Sequence, residues 1–350
     1  MLRRSVSLAG AIVVVTACAS PPPPHPAPAP RVDPPPVTTV DAGPPPTPSA
    51  PDAGAPADVS PAPDASAPAE PRGEHVRIFR GRSEDEWLRE MSERPVLRTL
   101  ERFHSTLFVF HMDLGDGVEI SFQPERPGQE TFWRREVTSY HLARLLGIEH
   151  RVPPTVGKRV PLSAFGRFSR GVNLVVDRHG MVLGSASVWM PVLNSARMHL
   201  PPARREWSRW VNPAHPLPEE HRERARQVSE VLVFDYLAAN YDRWNCCNIT
   251  VDENNDLVFR DNDAGWFPGV IQRLGDPGVV RRVPRYLFET IQRATPEALR
   301  ASVANDPMAS SVHLVQSGAY EGYERRRQAL LANLRRMVER YGEAEVFPWP

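Results

Sequence analysis

The sequence contains one lysine, Lys158, although lysine and arginine together number 42. Any chemistry that needs a primary amine therefore has a single candidate. The three cysteines are too few for a disulfide framework. Cys246 and Cys247 are adjacent, and a bridge between them would close a strained ring. Because the formal net charge is zero, the chain lacks the basic field that attracts nucleic acid, and we expect no nucleic-acid partner.

The first residues have the pattern of a secretory signal peptide. A basic pair at positions 3 and 4 precedes an apolar run at positions 12–15, which is too short to span a bilayer. The signal ends in Val-Thr-Ala-Cys and resembles a bacterial lipobox, which implies that Cys18 is acylated and tethers the chain to a membrane. An ordinary membrane anchor or a coincidental cysteine are the alternatives. Because Ala19 follows the cysteine, the outer membrane, facing the periplasm or the cell surface, is favoured.

Residues 19–72 consist mainly of Pro, Ala, Asp and Ser, with almost no large apolar side chain. Such a segment cannot bury enough apolar surface to fold. Its prolines keep the backbone extended. We therefore predict a disordered linker that holds the following residues away from the membrane.

The remaining residues change from strand-like to helix-like patterns along the chain. Apolar runs and alternation predict strands over residues 108–112, 118–122, 172–176 and 181–193. Helical periodicity predicts helices over residues 129–146, 218–240, 286–305 and 322–341. A polar, Pro-rich connection covers residues 196–218. The predicted class is α+β, with a β-rich half that includes one prominent helix and a second half that is helical.

The most informative stretch lies within the helical half. An apolar helix is followed by a polar loop that contains Asp242 and Asn248, and then by a hairpin that ends at Asp261. A tight hairpin brings its two ends together, so Asn248 and Asp261 should be neighbours. Two carboxylates and an amide suit a hard cation such as Mg²⁺ or Mn²⁺, together with a phosphate on that cation.

Two separated motifs carry a resemblance to a known family. Residues 234–243 read FDYLAANYDR, and the motif continues at residues 248–249 and 261–265. It resembles the four-jointed family of secretory-pathway kinases and their bacterial relatives. Upstream segments resemble the small lobe of the same family, at residues 122–126, 133–136, 141–147 and 152–154. The resemblance covers roughly residues 110–270.

The resemblance implies a two-lobed protein-kinase-like fold. Its β-rich small lobe would cover residues 73–195 and its helical large lobe residues 196–350, after a signal peptide with lipobox at 1–18 and the linker at 19–72. It also implies ATP with Mg²⁺ or Mn²⁺ as the nucleotide and metal. Phosphoryl transfer depends mainly on positioning and charge neutralisation, which agrees with this set of residues.

The resemblance assigns a role to each motif residue. Asp242 is the catalytic aspartate, and Asp261 binds the metal that bridges the phosphates. Asn248 holds a second metal, although kinase spacing points one residue earlier and Asn245 is the alternative. Glu136 is the helix glutamate that pairs with a phosphate-binding lysine. Read without the resemblance, these residues are capping, ion-pairing or turn-forming groups. Asp235, inside the apolar helix, is interpreted as a structural hydrogen-bonding residue.

The sequence departs from the family at position 123. The family places a lysine there, whereas this chain has Gln123, which supplies no charge to a phosphate. Lys158, predicted on the next strand, could replace the missing lysine, and so could Arg126 or Arg135. We therefore counted Gln123, Glu136 and Lys158 as candidate nucleotide-binding residues.

Two functions follow as hypotheses. The first is an exported, lipid-anchored kinase that transfers the γ-phosphoryl group of ATP to a hydroxyl of a protein or glycan. The second is a catalytically impaired pseudokinase that binds nucleotide or acts as a scaffold, which Gln123 favours. A plain surface adhesion module is a third reading. The sequence leaves the acceptor and the oligomeric state open.

Overall fold

A computed structural model describes residues 78–104, 108–191, 193–244, 248–266 and 279–350. The predicted signal peptide with Cys18 and the Pro-rich linker lie outside these ranges, as do Asn245, Cys246 and Cys247. Across the described ranges, no helix combines the length and the apolar character needed to cross a membrane.

The first half forms an antiparallel sheet. A hairpin of β1 (Ile78–Phe79) and β2 (Arg82–Ser83) leads into α1 (Glu84–Glu93). The sheet contains β3 (Arg98–His104), β4 (Phe108–Asp113), β5 (Glu119–Pro124), β6 (Thr155–Pro161) and β7 (Met181–Val188). Its five strands lie in the order β3-β4-β5-β7-β6, and α2 (Phe132–Leu146) connects β5 to β6.

Strand β5 shows why this half folds as a sheet and where it places Gln123. Alternate side chains point to opposite faces, so Ile120 and Phe122 are buried in the sheet's core while Gln123 lies on the other face. Gly184 on β7 makes the pairing tight, because a Cβ there would overlap the Gln123 carbonyl and lie 2.6 Å from the Phe122 ring. This close approach fixes Gln123 in the sheet.

Helix α2 ends as the sequence predicts. Gly147 adopts a left-handed conformation with φ 73° and caps the helix through its N–H, which donates to the Ala143 and Arg144 carbonyls. The helix begins at Phe132, three residues after the predicted start. Trp133 and Val137 are fully buried and belong to the core of the helical half, so α2 joins the two halves.

The second half is built around a buried helix. It contains β8 (Asn194–Ser195), α3 (Pro201–Trp210), α4 (Arg222–Ala238), β9 (Ile249–Val251) and β10 (Leu257–Phe259). It continues through α5 (Arg285–Arg293), α6 (Pro296–Val303), α7 (Ala319–Tyr341) and α8 (Glu343–Val346). Residues 227–238 of α4 are all buried. Strands β9 and β10 form the predicted hairpin, with Ile249 opposite Phe259.

Three predicted elements differ from the structure. Residues 286–305 form two helices because Thr295 caps a new helix whose first residue is Pro296. The connection predicted over residues 196–218 contains α3, which also begins with proline. Residues 172–176 are not a strand, since Val176 makes only an isolated bridge with Val182.

Candidate active site

The end of α4 positions Asp242. Helix α4 stops where Ala239 turns left-handed at φ 58°, and the Asp242 N–H donates to Asn240 Oδ1 at 3.1 Å. Asn248, at the start of the hairpin, donates from Nδ2 to Asp242 Oδ2 at 2.8 Å and to the Asp242 carbonyl at 3.0 Å. The structure therefore joins the predicted catalytic aspartate directly to the predicted amide ligand.

A buried arginine holds this loop against the end of the hairpin. The side chain of Arg243 is fully buried, and its Nε lies 3.1 and 3.2 Å from the two Asp235 carboxylate oxygens. Its Nη1 donates to the carbonyls of Asn248, at 3.1 Å, and Arg260. Its Nη2 donates to Asn262 Oδ1. One guanidinium thus brings the two ends of the hairpin together, as the motif predicted.

Asp261 lies at the corner that follows β10. Its backbone is left-handed, with φ 60°, and its side chain is accessible to solvent. Desolvation by the surrounding protein nevertheless raises the pKa of Asp261, and the charge of the nearby Asp242 raises it further. The positive charges of Arg260 and Arg243 oppose the rise. The two predicted carboxylates are therefore close enough to repel each other, which favours a cation between them.

Glu136 reaches this corner from α2. Its Oε2 accepts the Asn262 N–H at 2.5 Å and its Oε1 accepts from Asn262 Nδ2 at 3.1 Å. Burial raises the pKa of Glu136 to about 7, and the charge of Asp261 adds to the effect. The family resemblance implied a pair between this glutamate and a lysine, but in this chain the partner is the backbone and side chain of Asn262.

Gln123 is also part of the site, although it contacts another carboxylate. Its Nε2 donates to Asp263 Oδ2 at 2.5 Å, across the boundary between the two halves. Burial raises the pKa of Asp263 well above its usual value, and Asp261 and Glu136 add to the rise. Position 123 thus contacts Asp263, but it carries no positive charge.

The Lys158 ammonium group contacts a different part of the chain. Its Nζ donates to the Met91 carbonyl at 2.6 Å and to the Arg94 carbonyl at 2.8 Å, at the C-terminal end of α1. Burial lowers the pKa of Lys158 to about 8. The hypothesis that Lys158 replaces the missing lysine is therefore corrected, because its ammonium group binds the last carbonyls of a helix instead.

The residues present fit a cation whose remaining ligands are phosphate oxygens. Within the described ranges, no group of three or more His, Cys, Asp or Glu side chains is arranged to hold a metal ion. Asp261 is accessible, and Asn248 uses Nδ2 for its bonds to Asp242, so Oδ1 is its atom that can bind a cation. Mg²⁺ sites commonly combine one or two protein oxygens with substrate phosphates and water.

Sequence reasoning missed Asn262 and gave Asp235 only a structural role. Asn262 is fully buried and contacts Glu136, Arg243 and the Phe259 carbonyl. The one sequence signal for it is its position between Asp261 and Asp263, which attracted more attention as carboxylates. Asp235, interpreted as a hydrogen-bonding residue inside a helix, is the ion-pair partner of Arg243.

Part of the chain is similar to a known protein family. Residues 126–263 match the family model described as the four-jointed box protein middle domain. Four-jointed box protein 1 of Homo sapiens is 28% identical over 162 residues, which cover 38% of this chain. This chain spans 36% of that relative's length.

Two solved structures share the fold over most of the chain. The Golgi casein kinase with Mn/ADP bound has a TM-score of 0.56 at 16% identity, covering 75% of this chain and 78% of that one. The structure of hydra Fam20 with sugar has a TM-score of 0.54 at 17% identity, covering 74% and 90%. Likeness at such identities establishes the fold.

The sheet, the helical half and these comparisons define a kinase-like protein with an α+β, two-lobed fold, which confirms the predicted fold class. Within that class, residues 126–263 are similar to the four-jointed box family, the resemblance that the two sequence motifs predicted.

Proposed function

We propose that this chain is a phosphotransferase that moves the γ-phosphoryl group of ATP to a hydroxyl of a protein or glycan. One observation carries the proposal. Asn248 Nδ2 donates to Asp242 Oδ2 at 2.8 Å. The carboxylate of Asp242 is close enough to the solvent-accessible Asp261 to raise the pKa of Asp261. This is the arrangement that phosphoryl transfer needs from a protein: a base for the acceptor and oxygen ligands for a cation.

Each residue then has one task. Asp242 orients the acceptor hydroxyl and accepts its proton, while Asn248 Nδ2 holds the carboxylate in place. Asp261 and Asn248 Oδ1 would hold Mg²⁺ or Mn²⁺, which when bound neutralises charge on the phosphate oxygens. Glu136 binds Asn262 and so keeps the corner against α2. These tasks need no covalent intermediate on the protein.

The similar structures support the nucleotide, the cation and the acceptor class. The Golgi casein kinase structure contains Mn and ADP, which supports a nucleotide with a divalent cation here. The hydra Fam20 structure contains a sugar, which supports a glycan as one acceptor class, and the casein kinase name supports a protein as the other.

A pseudokinase is the second candidate, and Gln123 is the observation that favours it. The Gln123 amide is bonded to Asp263 and brings no charge to a phosphate. Losing one such electrostatic contact commonly lowers a rate by about a hundredfold to a thousandfold. A chain of this kind would bind nucleotide without transferring its phosphoryl group.

The localisation is part of the proposal. Acylated Cys18 would tether the chain in the cell envelope, with the Pro-rich linker between the membrane and the lobes. Expression of the full chain with labelled palmitate tests this. Wild type should carry label in the membrane fraction, whereas Cys18→Ser should be unlabelled and released. Label retained by Cys18→Ser would remove the lipoprotein assignment.

Two measurements separate the functions. Thermal shift with ATP and Mn²⁺ or Mg²⁺ reports binding, and labelled ATP reports autophosphorylation or transfer to a protein. Asp261→Asn removes the charge but keeps a residue type that tolerates the left-handed backbone. Glu253→Gln, at an exposed carboxylate in the same hairpin, is the matched control.

A kinase should show a shift and transfer in wild type and in Glu253→Gln, with transfer in Asp261→Asn lowered by about a hundredfold or more. Binding without transfer by wild type would establish the pseudokinase. The absence of a shift with every nucleotide–metal pair would remove both candidates, and equal transfer by wild type and Asp261→Asn would refute the assigned role of Asp261.

A further inference from the structure

The site contains three neighbouring carboxyl groups. Glu136, Asp261 and Asp263 lie close enough together that the charge of one raises the pKa of another. Gln123, at the family's lysine position, donates a neutral amide to Asp263. A nucleotide phosphate placed here would add further negative charge, so a protein cation beside position 123 would stabilise its binding.

Three nearby arginines are engaged elsewhere. Arg243 is fully buried and donates to Asp235 and to groups of the hairpin, so it cannot turn toward a ligand. Arg134 contacts the Glu125 carboxylate at 3.3 Å. Arg126 lies over the Phe108 ring, with 4.5 Å between the guanidinium carbon and the ring centre. Arg243 reaches the corner at 261–263 only through the Asn262 side chain. The Nε and Nη1 atoms of Arg126 are buried without a hydrogen-bond partner among the described residues, so Arg126 is the competing candidate.

Arg135 differs because it contacts the same residue as Gln123. Its Nη1 lies 3.4 Å from the Asp263 carbonyl, while Gln123 contacts the Asp263 carboxylate. Asp263 thus contacts both the Arg135 guanidinium and Gln123, which stands where the family has lysine. The guanidinium rests on the Phe132 ring at 5.0 Å, which sets its direction.

Arg135 is also close to the other half of the site. Asp263 and Tyr241 lie close enough to its guanidinium to raise the pKa of Arg135, and Tyr241 is the exposed neighbour of Asp242 in the chain. Burial lowers the pKa of Arg135 to about 10, so the side chain remains charged at neutral pH. The charged guanidinium of Arg135 therefore extends from α2 to a position near Asp263 and near Tyr241, in the loop that carries Asp242.

We infer that Arg135 binds the phosphates of the nucleotide in place of the lysine that Gln123 has replaced. The inference rests on the proposed function and names the cation on which it depends. A planar guanidinium can bind two phosphate oxygens at once, whereas an ammonium group acts as a point charge. The site should therefore prefer nucleoside di- and triphosphates to monophosphates, and the preference should depend on Arg135.

Binding of ATP, ADP and AMP with Mn²⁺ to the full chain, measured by isothermal titration calorimetry, tests the inference. Arg135→Gln should weaken ATP binding by about tenfold to a hundredfold, the loss of one charged hydrogen-bonding partner, and should weaken AMP binding less. Arg126→Gln tests the competing arginine, whose Nε and Nη1 are buried without a hydrogen-bond partner in the part of the chain that the structure describes. It should stay within about twofold of wild type if Arg135 binds the phosphates.

A charge rescue separates phosphate binding from a structural role. Gln123→Lys combined with Arg135→Gln should recover most of the ATP affinity, because a cation again lies beside Asp263. Gln123→Lys alone should gain less than about threefold, because Arg135 already supplies the charge. This second variant keeps the test valid if Arg135→Gln does not fold.

Unchanged ATP affinity in Arg135→Gln, a loss in Arg126→Gln instead, or a folded double variant without recovery would each overturn the inference. So would a gain of about tenfold or more in Gln123→Lys alone. If wild type binds no nucleotide, the proposed function fails and this inference fails with it. If wild type binds and Arg135→Gln binds equally well, only the role of Arg135 is refuted.

Discussion

Replacing Arg243 by methionine removes the guanidinium that joins α4, the loop after it and the end of β10. Methionine fills much of the same space, so the change removes mainly charge and hydrogen bonds. Asp235, whose oxygens lie 3.1 and 3.2 Å from Arg243 Nε, would become a buried carboxylate without its cation. Breaking a buried ion pair from one side costs about 3–5 kcal/mol, a large share of the 5–15 kcal/mol that typically stabilises a domain.

The loss should depend on pH in a defined direction. Burial raises the pKa of Asp235 from 3.8 to about 6, and Arg243 opposes the rise. Because the folded-state pKa is raised, the contribution of this group is fully present below about pH 4 and is lost as the pH rises through about 6. Without Arg243 the pKa of Asp235 rises further. The penalty of Arg243→Met should therefore be larger at pH 8 than at pH 5, where the loss of the bonds to Asn248, Arg260 and Asn262 remains.

Urea unfolding at pH 5 and pH 8 measures both effects. Asp235→Asn combined with Arg243→Met should recover part of the loss at pH 8, because no buried charge remains. Arg209→Met, at an exposed arginine of α3, should change the unfolding free energy by less than about 0.5 kcal/mol. A loss below about 1 kcal/mol at pH 8, or the same loss at both pH values, would refute the assigned role of Arg243.

Three further substitutions test single features of the fold. Lys158→Met should lower the unfolding free energy by about 1.5–3 kcal/mol, because the Met91 and Arg94 carbonyls lose a charged donor. ATP affinity measured by calorimetry should stay unchanged. A selective loss of affinity would show that Lys158 binds the nucleotide. Gly184→Ala should lower the midpoint of thermal unfolding, since the new methyl overlaps the Gln123 carbonyl, and an unchanged midpoint would contradict the tight β5–β7 pairing. Thr295→Ala should reduce stability in urea by about 1 kcal/mol through loss of the α6 cap, whereas no change would argue for a continuous helix.

Local signals explain the parts of the fold that the sequence predicts well. The end of α2 follows from Gly147, which adopts the left-handed conformation that only glycine takes easily. Alternation along β5 predicts which of its side chains enter the core. The break at Pro296 was readable from the same rules, since a proline at the first helical position after threonine marks a new helix, but the apolar pattern continued across it.

Side-chain partners across the two lobes could not be predicted in this way. The sequence identifies position 123 as unusual, but only the tertiary structure shows that Gln123 bonds to Asp263, 140 residues later. The tertiary structure likewise shows that the Lys158 ammonium group binds carbonyls at the end of α1. Both outcomes depend on which chain segments pack together, and no local pattern encodes that packing.

The sequence by itself was enough to predict the four-jointed resemblance, the α+β fold class and the candidate residues Asp242, Asn248 and Asp261, because short motifs with fixed spacing carry that information. The tertiary structure decided which groups contact one another: Arg243 with Asp235, Glu136 with Asn262, and Arg135 with the Asp263 carbonyl. Charge pairing acts over a few ångströms between residues far apart in the chain, so it exists only once the lobes have packed.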